Sequence, residues 1–105
     1  MSEQKLTGED VREFLFGRTL KCFDPESGAL AATIEYRTDG TCHAAMTDGA
    51  TDEGCYGFEQ DLYWTRYSWF RDGGLFRFFL HRIDDTSCQA YFDNGTRAFL
   101  QSIEA

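Results

Sequence analysis

The chain contains a single proline, only two histidines, and no apolar run long enough to span a bilayer, which takes about 18 residues. It has neither a G-x-S-x-G elbow nor a phosphate loop, so the usual nucleophile and base constellations are not visible. The four cysteines, Cys22, Cys42, Cys55 and Cys88, contain no C-x-x-C pair, and their spacing argues against a zinc site. We therefore expect no catalytic residue, no metal and no cofactor. His81, in "FLHRIDD", reads as a strand histidine rather than a general base. Acidic pairs such as Asp52-Glu53 and Asp84-Asp85 are expected in turns, where solvated carboxylates are ordinary.

Basic residues are scarce as well. Ten lysines and arginines face eighteen acidic residues, a net charge of −8. Such a field repels nucleic acid and anionic membrane surfaces over about one Debye length, roughly 8 to 10 Å at ordinary salt. The N-terminal "MSEQKLTGEDVREFLFG" lacks the apolar centre of a signal peptide, so a cytoplasmic protein is expected. In a reducing cytosol the cysteines read as half-buried thiols filling core volume. In an exported protein one or two disulfides become plausible, with connectivity open.

What is abundant is apolar and aromatic surface. Hydrophobic residues make up 42% and aromatics 16% of 105 residues, enough for one folded domain and too little chain for a second core. "LTGEDVREFLFG" is the one helical pattern, spanning about 7–16. Thr7 and Asp10 suggest a capping box, Leu6 could staple onto Val11, and Val11, Phe14 and Leu15 recur at helical spacing before Gly17. So short a helix must dock on something.

After Gly17 the period changes to two. In "ALAATIEYRT", Leu30, Ala32, Ile34 and Tyr36 alternate with Ala31, Thr33, Glu35 and Arg37. Asp39-Gly40 is expected to form a two-residue hairpin turn, after which Cys42, Ala44 and Met46 share a face. Further turn signals, Pro25 lying in one of them, separate strands near 18–24, 29–38, 41–47, 54–59, 62–70, 75–83, 88–92 and 96–102. The expectation is all-β with one short N-terminal helix: an antiparallel meander of about eight strands over 18–102, closed as a barrel or curled as a half-barrel to hide its edges.

The helix "LTGEDVREFLFGRTL", the strand pair through "RTDGTCHA", the glycine and aromatics of "GCYGFEQDLYW" and the closing "YFDNGT" hairpin together resemble small bacterial lipocalin-like domains, many of them uncharacterised. The resemblance spans nearly the whole chain, residues 1–105 as a single domain. It implies a calycin-type barrel able to hold a small apolar ligand and implies no reaction. Where those relatives often pair cysteines late in the meander, this chain carries Tyr63 and phenylalanines, which weakens any inference of a disulfide or of export.

One stretch stands out, "YWTRYSWFRDGGLFRFFLHR", residues 63–82, with eight aromatics and four arginines among twenty residues. As a hairpin it sets Trp64, Arg66, Ser68 and Phe70 against Tyr63, Thr65, Tyr67 and Trp69, so both faces are aromatic. One face can be core and the other a ladder of aromatic and Arg–aromatic pairs. Two functional readings follow. The first is a non-catalytic binding module for a small apolar or amphipathic anion, with Tyr36, Trp64, Arg66, Arg77 and Phe78 lining the barrel and an inward arginine meeting the ligand's carboxylate, unless Glu35 or Glu59 takes that role. Its mark is a cavity of about 300 Å³ or more. The second is a protein interaction or homodimerisation domain that presents Tyr67 and Trp69, marked by a filled interior and an exposed aromatic patch. Single-stranded nucleic acid would also suit rings interleaved with arginine, but outside the hairpin seventeen acidic residues face six basic ones.

Overall fold

The structure, a computed structural model, describes residues 4–103. Its elements are β1 (Gln4–Lys5), α1 (Gly8–Leu15), β2 (Thr19–Phe23), β3 (Leu30–Tyr36), β4 (Thr41–Met46), β5 (Thr51–Glu59), β6 (Leu62–Tyr67), β7 (Leu75–Asp84), β8 (Ser87–Phe92) and β9 (Arg97–Ile103). From β2 to β9 each strand pairs antiparallel with the next, and β9 returns to β2, with Cys22 opposite Gln101. The result is a closed eight-stranded barrel. Closure removes the free edges that an open meander of this length would leave to other chains. The short β1 is added outside the circuit, with Lys5 opposite His81 of β7.

The period-two pattern decides which way each strand faces. Leu20 and Cys22 of β2, Ala32, Ile34 and Tyr36 of β3, and Cys42 and Ala44 of β4 are buried. Their neighbours Lys21 and Glu35 are exposed, as the sequence alternation requires. Cys22, Cys42 and Cys88 are core thiols, whereas Cys55 is exposed; all four are free. Where β8 and β9 slip register between Gln89 and Tyr91, the buried Gln89 amide donates 2.9 Å bonds to the carbonyls of Ala90 and Ala98. Its side chain thus fills the place of the interrupted ladder.

Helix α1 closes one end of the barrel, burying Val11, Phe14 and Leu15. Its first amide, that of Gly8, donates to Asp61 Oδ1 at 2.8 Å, while the Thr7 hydroxyl donates to Asp10 at 3.2 Å and caps no amide. The sequence suggested a local capping box; the cap instead comes from the β5–β6 turn. A β-carbon at Gly8 would stand 2.5 Å from the Gln60 carbonyl oxygen, so only glycine allows this approach.

Three local expectations differ from what forms. The β3–β4 connection is a three-residue loop rather than a two-residue turn: the Arg37 amide donates to the Thr41 carbonyl at 2.9 Å, and Gly40 alone takes positive φ, at 91°. Strand β5 begins at Thr51, earlier than the turn signals of 48–54 imply. The chain after β6 turns into a short 3-10 segment, Phe70–Gly73, instead of continuing as strand to 70. The last two share a cause in Asp52, described below.

Candidate site at the helix-free end of the barrel

The interior is packed with tyrosines. Tyr36 meets Tyr56 and Tyr63 edge to face at centroid distances of 5.0 and 6.2 Å, and Tyr63 stacks on Phe78 at 5.1 Å. Gln101 donates through Nε2 to the Tyr63 hydroxyl at 2.6 Å. Between these groups remains a cavity of about 10 Å³, room for one water-sized oxygen. Two buried polar atoms beside it, Tyr67 Oη and Gln101 Oε1, have no protein hydrogen-bond partner. Cys42 lies close to Tyr67 without meeting hydrogen-bond geometry. Burial pushes the Tyr36 and Tyr67 phenols well above their ordinary range, and the Cys42 and Cys88 thiols up to about 11 and about 12. At neutral pH these interior groups offer hydrogen bonds without charge, and thiols so protonated are poor nucleophiles.

The helix-free end holds a larger concavity, about 180 Å³, lined by Pro25, Phe92, Arg97, Ala98 and Phe99. The β8–β9 hairpin and the β2–β3 turn place these residues together, since Phe23 of β2 runs opposite Leu100 of β9. Four ion pairs form among the described residues: Arg37–Glu35, Arg37–Glu53, His43–Glu53 and Arg77–Glu59. Arg97 enters none of them. Phe99 lines both the rim pocket and the inner cavity.

The β6–β7 connection folds over the same end and is anchored by Asp52. Its carboxylate accepts from the amides of Trp69 at 3.0 Å and Phe70 at 2.9 Å through one oxygen, and from that of Glu53 at 2.8 Å through the other. Burial alone would raise the Asp52 pKa, but the backbone donors outweigh it and hold the carboxyl below its ordinary value. Phe70, held by this clasp, packs edge to face on Tyr67 at 5.3 Å and lines the inner cavity.

Of the residues singled out as ligand candidates, Tyr36 and Phe78 do line the inner cavity. Trp64, Arg66 and Arg77 do not join them: they lie in the other strand phase, on the outer face, so the barrel wall divides the five. The reason is a glycine. Gly57 stands opposite Trp64, and a β-carbon there would come within 2.6 Å of the indole, so Trp64 lies flat over Gly57 outside the barrel. Arg77 pairs with Glu59 at 3.2 Å, and Arg66 donates to the Gly73 carbonyl at 3.3 Å. Tyr67, expected at an interface, is turned inward and buried; Trp69 is 51% exposed. Sequence reasoning missed Pro25, Phe92, Arg97, Phe99 and Gln101. Gln101 left one signal, a polar residue in the same phase as Phe99 and Ile103.

The outer face of β3–β5 carries Glu35, His43, Glu53 and Arg37 as a solvated charge ladder, His43 bonding Glu53 through Nδ1. No group of three metal-ligating side chains occurs among the described residues, and no helix there is long and apolar enough to cross a membrane. No family model matches this chain, and no curated protein or solved structure matches it.

Proposed function

We propose that this protein is a lipocalin-like, non-catalytic binding module of the cytoplasm, and that its ligand is a small amphipathic anion taken at the helix-free end of the barrel. The observation that carries this reading is the rim pocket, where aromatic walls converge with the guanidinium of Arg97, which enters none of the ion pairs among the described residues. Apolar concavity with a few polar groups is the usual form of a ligand site. At about 180 Å³ the pocket lies below the roughly 300–1,000 Å³ of drug-sized sites, so the ligand is short. The filled interior moves the expected site from the centre of the barrel to its rim, and Arg97 takes the part first given to Arg66 and Arg77. The four free thiols support a reducing compartment.

Titration with hexanoate, followed by amide NMR, tests the reading. We expect shifts centred on Phe92, Arg97 and Phe99, and an affinity about five- to tenfold weaker in Arg97→Ala, as one charge-assisted contact warrants. Unmoved resonances at those positions would overturn it.

A second reading, homodimerisation through the 63–82 hairpin, is favoured by the filled interior, which was its expected mark, and by the exposure of Trp69 (51%) and Leu75 (44%) in that segment. Sedimentation equilibrium decides it. A dimer mass that Trp69→Ala returns to monomer would support the interface, and a monomer at all concentrations removes it.

A further inference from the structure

Among the described residues, the two buried polar side-chain atoms without a hydrogen bond, a donor and an acceptor, belong to residues that line one small cavity. Tyr67 offers its hydroxyl hydrogen; Gln101, whose Nε2 is committed to Tyr63, offers Oε1. Both residues are more than nine-tenths buried, with exposures of 5% and 3%. Buried polar groups are normally satisfied, and an unsatisfied pair on residues lining one void points to what the void is shaped to receive. A hydroxyl answers both at once, accepting from Tyr67 and donating to Gln101.

The cavity's surroundings narrow the chemistry. Tyr36, Tyr63, Tyr67, Thr65 and Gln101 present no cation to it, so a carboxylate would enter at heavy desolvation cost and only a neutral group belongs there. About 10 Å³ admits a single oxygen and no ring. The strand that carries Gln101 also carries Phe99, the side chain common to cavity and rim pocket, and beyond the bulge of β9 it carries Arg97 in the rim pocket.

Resting on the rim site proposed above, we propose that the ligand class is a short aliphatic carboxylate with a hydroxyl at its far end. The carboxylate lies at Arg97, the hydroxyl sits between Tyr67 and Gln101, and Phe99 swings aside to let the chain pass.

The experiment compares 6-hydroxyhexanoate with hexanoate by calorimetric titration of the wild type, Tyr67→Phe and Gln101→Leu, each variant checked by thermal melt. In the wild type the hydroxylated probe is expected to bind about tenfold tighter, the net value of two modest buried hydrogen bonds. In Tyr67→Phe, which leaves only the bond to Gln101, the ratio of the two affinities should fall to about threefold. Equal affinities in the wild type overturn the inner hydroxyl site and leave the rim reading standing, while absence of binding by both probes overturns the two together. A tenfold ratio that persists in Tyr67→Phe also overturns the inner site. Tyr67→Phe removes one atom and decides the matter even where Gln101→Leu does not fold.

Discussion

Asp52→Ala is expected to cost about 3 kcal/mol of stability and, in a domain of this size, to lower Tm by roughly 12–20 °C. The carboxylate is the acceptor for three backbone amides, those of Glu53, Trp69 and Phe70, and its residue is only 6% exposed. Alanine leaves those donors without an acceptor and frees the segment that folds over the barrel's end. Asp52→Asn, which keeps one acceptor oxygen, should lose about half as much. Hydrogen exchange gives the local signature: faster exchange at the Trp69 and Phe70 amides, with the β2–β3 ladder little affected until global opening. An Asp52→Ala protein with an unchanged melt would show that the clasp contributes nothing.

The same clasp sets a direction in pH. Because the Asp52 carboxyl is held below its ordinary value, the folded state binds its proton less readily than the unfolded chain does. The stabilisation is therefore complete above the unfolded carboxyl's pKa of about 3.9 and is lost as pH falls from there through the lower native value. Asp24, Asp39, Glu53 and Asp84 shift in the same direction from exposed positions, where solvent screens their effect. An acid melt series should accordingly show Asp52→Asn converging on the wild type at low pH.

Much of the barrel was legible because one face of most strands is unambiguous. Ala32, Ile34 and Tyr36, then Cys42, Ala44 and Met46, could only be one wall. The 63–82 hairpin resisted the same treatment, since both its phases are aromatic. What decides between them is Gly57 opposite Trp64, a fact of register between β5 and β6 and not of the hairpin itself. Other decisive contacts are likewise distant in sequence: Asp61 caps α1 across 53 residues, and Gln101 reaches Tyr63 across 38. The rim pocket is a meeting of turns, from Pro25 and from Phe92 to Phe99, and turn residues announce where the chain reverses without saying which reversals become neighbours.

Phe14→Ala is expected to have an effect of comparable size, about 3–5 kcal/mol, and to act at the opposite end. Phe14 is 2% exposed on a helix of eight residues, too short to persist in water without its docking surface. Removing the ring leaves Val11 and Leu15 to hold α1 against β5 and β6, with the Gly8–Asp61 bond as the only polar tie between the helix and the β5–β6 turn among the hydrogen bonds described. Helical amides should then exchange faster than those of β7 and β8, whereas Asp52→Ala should spare the helix. If the two substitutions loosened the same amides, the barrel would open as one unit. Separate patterns would mean that the plugged end supplies stability while the clasped end is free to admit a ligand, the division of labour that binding at the rim requires.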